Sequence, residues 1–370
     1  MKYPNEMTHR NDRSKTALSP DPILSVIVPV RNTVSEFQQC LRALSLSRED
    51  DIELIVVDDC STENIRSIAE QHGARYFRLP RWSGPAAARN LGVRNAGGEI
   101  IVFVDADVLV VPSTLRTIRE EFERNPDLAA LFGSYDDAPA CLDFWSSFKN
   151  LMHYSVHQSS RTEATSFWAG CGAIRKKVFG DVGGFDAVRY PEASIEDIDL
   201  GIRLTQRREK IRLLKHLQVK HLKNWTLKSL IYSDIKQRSI PWTQLILRSN
   251  YLPRDLNLSW ASRVSAVLVA IMVVLAAGMT RSLIGPATWS PSAIMFMFIC
   301  VISALLMLNQ QLYRVFVGKR GMAFALSAVL FHWVYLFYSG TVFIFCSALM
   351  LLHGVFCSET SKSDVGRSLT

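Results

Sequence analysis

Three pairs of acidic side chains and one histidine in this chain have the type and spacing to do chemistry. Asp105 and Asp107 stand one residue apart directly after the apolar run Ile100 to Val104, and Asp58 and Asp59 close the run that begins at Ile52. Short β-branched runs closed by acids read as buried parallel strands, which deliver their last carboxylates to the sheet edge where open α/β folds bind ligands. Two hard oxygen donors as close as Asp105 and Asp107 suit Mg²⁺ or Mn²⁺, completed by phosphate oxygens of a substrate. A carboxylate of the first βα loops is then available for a base or a ribose. The third pair, Glu196 and Asp197, lies where Ile195, Ile198 and Ile202 repeat at helical spacing. That pattern turns both acids away from the core at the start of a helix, whose N-terminus favours their charged form and so their acceptance of a proton. His221, after a basic strand at 211 to 220, is open to two readings, a metal ligand or a packing residue.

These side chains need a scaffold, and the sequence from 23 to 104 alternates strand and helix. Ile23 to Val30 and Ile52 to Asp59 read as strands, Tyr76 and Phe77 mark a short third, and 100 to 104 form a fourth. Helical patterns run through Leu41 and Leu44, over 64 to 72, and from Gly84 to Ala96. Strands separated by helices of this length predict a parallel, doubly wound α/β sheet. Neither Gly-x-Gly-x-x-Gly nor Gly-x-x-x-x-Gly-Lys-Ser/Thr follows the first strand, so neither the usual dinucleotide fold nor a P-loop is supported. A diphosphate would instead be neutralised by a metal at Asp107 and by basic side chains.

The segments Ser25-Val26-Ile27-Val28-Pro29-Val30-Arg31-Asn32, Val56-Val57-Asp58-Asp59-Cys60-Ser61, Gly84-Pro85-Ala86-Ala87-Ala88-Arg89-Asn90-Leu91-Gly92 and Phe103-Val104-Asp105-Ala106-Asp107 resemble, in that order and spacing, family 2 glycosyltransferases. Trp168-Ala169-Gly170-Cys171, Gly183-Gly184-Phe185-Asp186 and Ser194-Ile195-Glu196-Asp197-Ile198-Asp199-Leu200 extend the resemblance, which covers residues 23 to 225. It implies a GT-A fold, a Rossmann-like, doubly wound mixed sheet, here followed by C-terminal transmembrane helices. It also implies an inverting, Mg²⁺- or Mn²⁺-dependent transferase of the hexosyltransferase class, using a nucleotide-diphosphate sugar, foremost a UDP-sugar. By the same resemblance Asp197 is the base. Asp59 meets the nucleobase or ribose with Asp58 beside it, while Pro29 and Asn32 shape the first loop around the base. Arg89 meets the nucleotide, or else pairs with a neighbouring acid on a solvated helix face. Asp105 contacts ribose or metal, Asp107 the metal, and His221 is a further metal ligand, while Glu196 and Gly170 fall on the acceptor side. Processive members carry Gln-x-x-Arg-Trp; here Gln237, Arg238 and Trp242 supply the types without the spacing. That favours addition of a single sugar and leaves those three as acceptor contacts or an interfacial anchor.

Composition adds a membrane. The chain has 370 residues, 48% of them hydrophobic, and a net charge of +8. Val264 to Met279 and Ala293 to Leu308 are nearly uninterrupted apolar runs, and Met322 to Cys357 holds no Asp, Glu, Lys or Arg. Since a span needs about 20 apolar residues, three spans are expected, at 260–280, 291–311 and 335–356. Residues 322 to 334, with His332 and Trp333, are expected in the interface before the third; a break at Tyr338-Ser339-Gly340-Thr341 would make a fourth span. Between Arg203 and Arg254 thirteen Lys or Arg face two acids, Glu209 and Asp234. Such a strip before a span reads as a surface for anionic headgroups or phosphates rather than nucleic acid, no motif for which accompanies it. The expected organisation is a mobile leader (1–22), the catalytic domain (23–225), a basic amphipathic segment (226–257), the transmembrane region (258–357) and a tail (358–370).

Arg314, Lys319 and Arg320 after the second span put that loop and the catalytic domain on the cytoplasmic side of an inner (plasma) membrane. The acceptor would then be lipid-linked or otherwise membrane-borne. Seven cysteines without a Cys-x-x-Cys pair read as reduced thiols. Donor choice is expected to lie in loops such as Ala138 to Ser160. The competing functions are a processive polysaccharide synthase subunit, a nucleotidyltransferase, which would show a glycine-rich loop absent after Val30, and a catalytically inactive membrane scaffold, against which Asp105, Asp107 and Asp197 argue.

Overall fold

The structure, a computed structural model, describes residues 23–49, 51–249, 259–284 and 290–365, with backbone alone for 283, 284, 351 and 353–365. The leader expected over 1–22, the end of the basic segment and the last residues of the tail lie outside the described residues.

The expected alternation is present as β1 (Leu24–Val30), α1 (Val34–Ser47), β2 (Ile52–Asp58), α2 (Ile65–Gln71), β3 (Arg75–Arg78), α3 (Gly84–Asn95) and β4 (Ile100–Val104). There follow β5 (Val108–Leu109), α4 (Thr114–Arg124), β6 (Leu128–Tyr135), α5 (Phe144–Ser159), β7 (Glu163–Ala164), β8 (Cys171–Arg175), α6 (Lys176–Asp181), α7 (Glu196–Gln206) and β9 (Lys210–His221). The sheet order is β3-β2-β1-β4-β8-β6-β9-β5, with β7 on β9. The first four strands are parallel, and β1 and β4 are buried on both faces, which is why they read as unbroken apolar runs. Alternate residues serve the two layers. Val26, Val28, Leu54 and Val102 meet α1 and α4, whereas Ile27, Ile55, Val57, Ile101 and Phe103 meet α3 and the α6–α7 region.

The four strands up to residue 104 are parallel as expected, and the mixed sheet that the resemblance implies arises at β8, which runs antiparallel to both β4 and β6. The reversal matters for the site. Cys171 pairs with Val104, so the turn before β8 lies beside the acids after β4, and the Asp105 amide donates to the Gly170 carbonyl at 3.1 Å.

The chain then continues through α8 (Leu227–Tyr232), a π-helical turn (Ser233–Ser239) and α9 (Ile240–Ser249) to α10 (Trp260–Ile284), α11 (Pro291–Leu308) and α12 (Gln310–Val365). The last three are long and apolar enough to cross a membrane. One expectation about this region is corrected. Gly321 (φ 81°, ψ 174°) breaks α12 into 310–320 and 322–365, and the second limb runs through 338–341 without a break, so no fourth span arises there. Residues 322–334 are the start of that limb, continuous with the third apolar span. Ala325, Ala328 and Phe331 of that limb pack on Phe144, Trp145 and Phe148 of α5, and His332 shares a 3.0 Å hydrogen bond with the Tyr313 hydroxyl.

The stretch from Ala138 to Ser160 is corrected as well. It is mostly α5, whose Asp143 side chain caps its first amides, and its apolar face is taken up by α12 rather than by a donor pocket. Deep in this junction the Lys149 ammonium pairs with the Asp234 carboxylate, both 2% exposed, and the Tyr338 hydroxyl donates to the other Asp234 oxygen at 2.7 Å. Near the turn at Gly321, Lys319 pairs with Asp137 at 2.5 Å and Arg320 donates to the Leu142 carbonyl. The cations expected in a loop thus sit on a helix bound to the catalytic domain.

Candidate active site

At the ends of β1 and β2 the first two loops are laced together. Val30 accepts from the Asp59 amide at 2.8 Å, and Asn32 (φ 56°) donates its amide to Ser61 Oγ while its side-chain oxygen accepts from the Thr62 amide. Pro29, within β1, is paired with Val57, so it and Asn32 shape this corner through the backbone. Asp58 is fully buried and spends its oxygens internally, on the Ser61 amide, the Tyr76 hydroxyl and Arg78. Asp59 is held differently. Its two oxygens accept from the Ser83 and Gly84 amides, both at 2.8 Å, at the start of α3. Burial lifts its pKa above the ordinary carboxylate range despite those donors. Each oxygen keeps a second lone pair for a ligand.

Arg89 of α3 pairs with acids, as its alternative reading expected, but buried rather than on a solvated helix face. One nitrogen donates to Asp105 Oδ1 at 2.7 Å, and another to Glu196 Oε1 at 2.8 Å. Its guanidinium lies 5.5 Å from the Phe185 ring centre. Arg89 is therefore a tie between β4 and α7, and Glu196 is buried rather than turned to solvent as its spacing suggested. The reason is pairing: a buried carboxylate is tolerated when a guanidinium meets it.

Asp105 and Asp107 face different partners. Burial, reinforced by the Asp107 charge, raises the Asp105 pKa against the pull of Arg89. Burial also opposes ionisation of Asp107, yet His221 and Lys223 hold it below the usual range. His221 Nε2 lies 3.3 Å from Asp107 Oδ2, because β5 pairs with β9 at Val108 and His221. The imidazole stacks on Tyr135 at 4.6 Å between ring centres, and Tyr135 in turn meets Trp168 edge-on. Among the described residues no three His, Cys, Asp or Glu side chains gather as a metal-binding group. Asp107 and His221 still fit Mg²⁺ or Mn²⁺, since such an ion in a nucleotide site takes one or two protein donors and fills the rest with water and phosphate oxygens.

Asp197 completes the arrangement. Its Oδ2 accepts from the Ala169 amide at 3.1 Å and its Oδ1 from the Ile198 amide at 2.8 Å. Burial, with the Glu196 charge next to it, pushes its pKa up to about 7. The helix N-terminus expected to hold it ionised is outweighed by desolvation, which lifts its pKa. The change suits a general base, whose pKa is best near the working pH.

Residues 25–183 match the family model described as glycosyl transferase family 2. Over that stretch the chain is similar to family 2 glycosyltransferases. An uncharacterized glycosyltransferase of Haemophilus influenzae is 29% identical over 193 residues, 50% of this chain and 62% of that protein. The pre-mycofactocin glycosyltransferase of Mycobacterium tuberculosis is 28% identical over 229 residues, 56% of this chain and 46% of that protein. The chain thus spans less than two thirds of the length of these relatives. The mannosyltransferase PcManGT of Pyrobaculum calidifontis, solved with GDP-Man and Mn²⁺, superposes with a TM-score of 0.52 at 16% identity, covering 89% of this chain and 86% of that one. That likeness establishes a shared fold.

Around the transferase domain's acids, other singled-out residues are placed as follows. Gly170 makes room: a Cβ there would lie 2.4 Å from the Trp168 ring. Gln237 accepts the Ser194 hydroxyl on its backbone carbonyl at 3.0 Å, and Trp242 packs against the cluster of Tyr190, Ile195 and Leu245. Arg238 reaches His153 at 3.2 Å. Its charge is also felt by the Tyr135 hydroxyl, which stands in the field of Asp107, Asp105 and Asp197. Sequence reasoning missed Tyr135, Trp168 and Lys223 as parts of the site. Tyr135 ends a strand at the same sheet edge and Lys223 follows His221 by two residues, but neither position signals its neighbours before the mixed sheet is known.

Proposed function

We propose that this chain is an inverting, metal-dependent glycosyltransferase that moves a sugar from a nucleotide-diphosphate donor to a membrane-borne acceptor, one sugar per encounter. The observation that carries the reading is Asp197, a half-buried carboxylate with a pKa of about 7, set between the Arg89 tie and the turn that holds Asp105. Asp59 receives the nucleoside, in keeping with its two remaining lone pairs at the start of α3. Held by Asp107 and His221, Mg²⁺ or Mn²⁺ would supply Lewis-acid stabilisation of the departing diphosphate; PcManGT was solved with Mn²⁺ and GDP-Man. Lys223 and Arg238 add positive charge on the same side.

Asp197 takes the proton of the acceptor hydroxyl as that oxygen bonds to the anomeric carbon. The bond from that carbon to the diphosphate oxygen breaks with its electron pair leaving on the diphosphate, and the configuration inverts. Arg89 orients rather than reacts, because both its pairings are to protein carboxylates. Support for a membrane acceptor comes from the three long apolar helices and from α12 docking directly on α5. Support for a cytoplasmic domain comes from Lys319 and Arg320, basic residues bound to that domain at the end of a span. The missing Gln-x-x-Arg-Trp spacing supports single addition.

The test is a donor screen with the full chain in lipid, reading nucleoside diphosphate release with Mn²⁺ or Mg²⁺ against a chelated control. Metal-dependent release from one sugar nucleotide, lost in Asp197→Asn, is the expected result. Release from none overturns the reading.

A further inference from the structure

Two cavities meet beside the domain, and neither belongs to the acids described above. The first, of about 350 Å³, is lined by Tyr190 and Ser194 on the loop before α7, and by Lys236, Gln244 and Arg248 on the π-helical turn and α9. The second, of about 500 Å³, lies between the same turn and α12 and is walled by Ile235, Ile240, Val342, Phe345 and Leu349. Gln244 lines both, so the two adjoin at that side chain.

The chemistry changes sharply across Gln244. Neighbours in sequence divide between the cavities, Ile235 facing the apolar one and Lys236 the polar one. Lys236 and Arg248 are exposed and form no ion pair among the described residues, whereas Arg189 at the same wall is held by Asp186 and Asp199. Glu192 is the acid of this lining. Two uncommitted cations over an apolar trough against a membrane-length helix fit one kind of occupant: an amphiphile with a phosphate head and a hydrocarbon tail.

We infer that a net-anionic membrane lipid, its phosphate not neutralised by a cationic headgroup, binds across Gln244, its head between Lys236 and Arg248 and its tail along Val342, Phe345 and Leu349. The polar cavity adjoins the catalytic base through a short stretch of chain. Ser194 lines it, and its amide donates to Glu196 Oε2 at 2.9 Å, in the residue just before Asp197. Resting on the transferase reading, the bound lipid is the sugar acceptor: a hydroxyl of its head, delivered to the start of α7, bonds to the anomeric carbon as its proton passes to Asp197 and the nucleoside diphosphate leaves.

The experiment uses the full chain in phosphatidylcholine nanodiscs containing a trace of phosphatidic acid with a photoreactive acyl chain, or photoreactive phosphatidylcholine at equal amount. Phosphatidic acid should label peptides containing 235–240 and 342–349 in clear excess over phosphatidylcholine. Removing each cation, in Lys236→Ala and Arg248→Ala, should reduce that labelling roughly fivefold, with Lys236→Arg and Arg248→Lys retaining it. Leu349→Trp, which fills the trough, should lower labelling by both lipids. Equal labelling by the two lipids, or labelling indifferent to both cations, overturns the inference. Nucleoside diphosphate release is read on the same samples. If no donor is turned over while selective labelling stands, the transferase reading fails and the lipid site survives. Turnover with unselective labelling removes the lipid site and leaves the transferase reading in place.

Discussion

Arg89 and Glu196 lie 107 residues apart in the chain and meet in a buried ion pair at 2.8 Å. With Asp105 on the same guanidinium, the pair fastens the helix carrying the proposed base to the strand carrying the proposed donor acids.

Arg89→Ala would leave two carboxylates short of their cation. Breaking a buried pair from one side costs about 3–5 kcal/mol, so the unfolding temperature of the full chain in detergent should fall markedly, along with activity. Arg89→Lys keeps the charge but loses the fork that reaches two acids, and should fall between. An unchanged unfolding temperature for the alanine variant would remove Arg89 from this role.

The pH profile should carry the signature of Asp197. As a base with a pKa of about 7, it is inactive when protonated, so turnover rises with pH through that value and then levels off. Glu196→Gln removes a charge that helps lift Asp197 and should move the rising limb to lower pH. Asp197→Asn should lose about 10²–10⁴-fold in rate while still binding the donor. Stability has its own sign. Between the ordinary carboxylate range and a pH of about 7 the folded state holds a proton that the unfolded chain releases, so stability declines as pH rises across that window. Asp197→Asn should flatten the decline, as measured by denaturant unfolding at several pH values.

Chelation should abolish diphosphate release, and added Mn²⁺ or Mg²⁺ should restore it. Asp107→Asn and His221→Ala should each raise the metal concentration needed for half-maximal rate, by roughly tenfold or more. Titration of metal against rate checks this directly. Full activity in chelator would assign charge neutralisation to Lys223 and Arg238 alone.

Gly84 (φ 81°) brings its amide to Asp59, and a Cβ there would sit 2.3 Å from the Pro191 carbonyl oxygen. Gly84→Ala therefore combines left-handed strain with overpacking against the loop before α7, at a cost of about 1–3 kcal/mol. The expected readout is a higher KM for the donor and a lower unfolding temperature; an unaffected KM would disconnect Asp59 from donor binding.

The parallel half of the sheet was legible because its central strands are buried on both faces, and continuous runs such as Val26 to Val30 admit little else. The acids at the strand ends were legible for the same reason. The pairing of Arg89 was not, since its partners come from the end of β4 and from α7, and distance along the chain says nothing of which acid arrives. Asp197 was found by pattern but the rise in its pKa was not, because desolvation beside Glu196 depends on the pairing that hides Glu196. The 138–160 stretch misled through its polar residues: Lys149 and Asn150 are buried within a helix, with Lys149 paired to an aspartate 85 residues away.

That aspartate, Asp234, is gripped from two directions, by Lys149 of the catalytic domain and by Tyr338 of the long apolar helix. A head on a slack tether could sample reactive oxygens at many depths; one clamped to its post cannot. On the proposed reading, this chain sorts acceptors first by height: a hydroxyl standing too near or too far from the hydrocarbon misses the base, whatever sugar or lipid carries it.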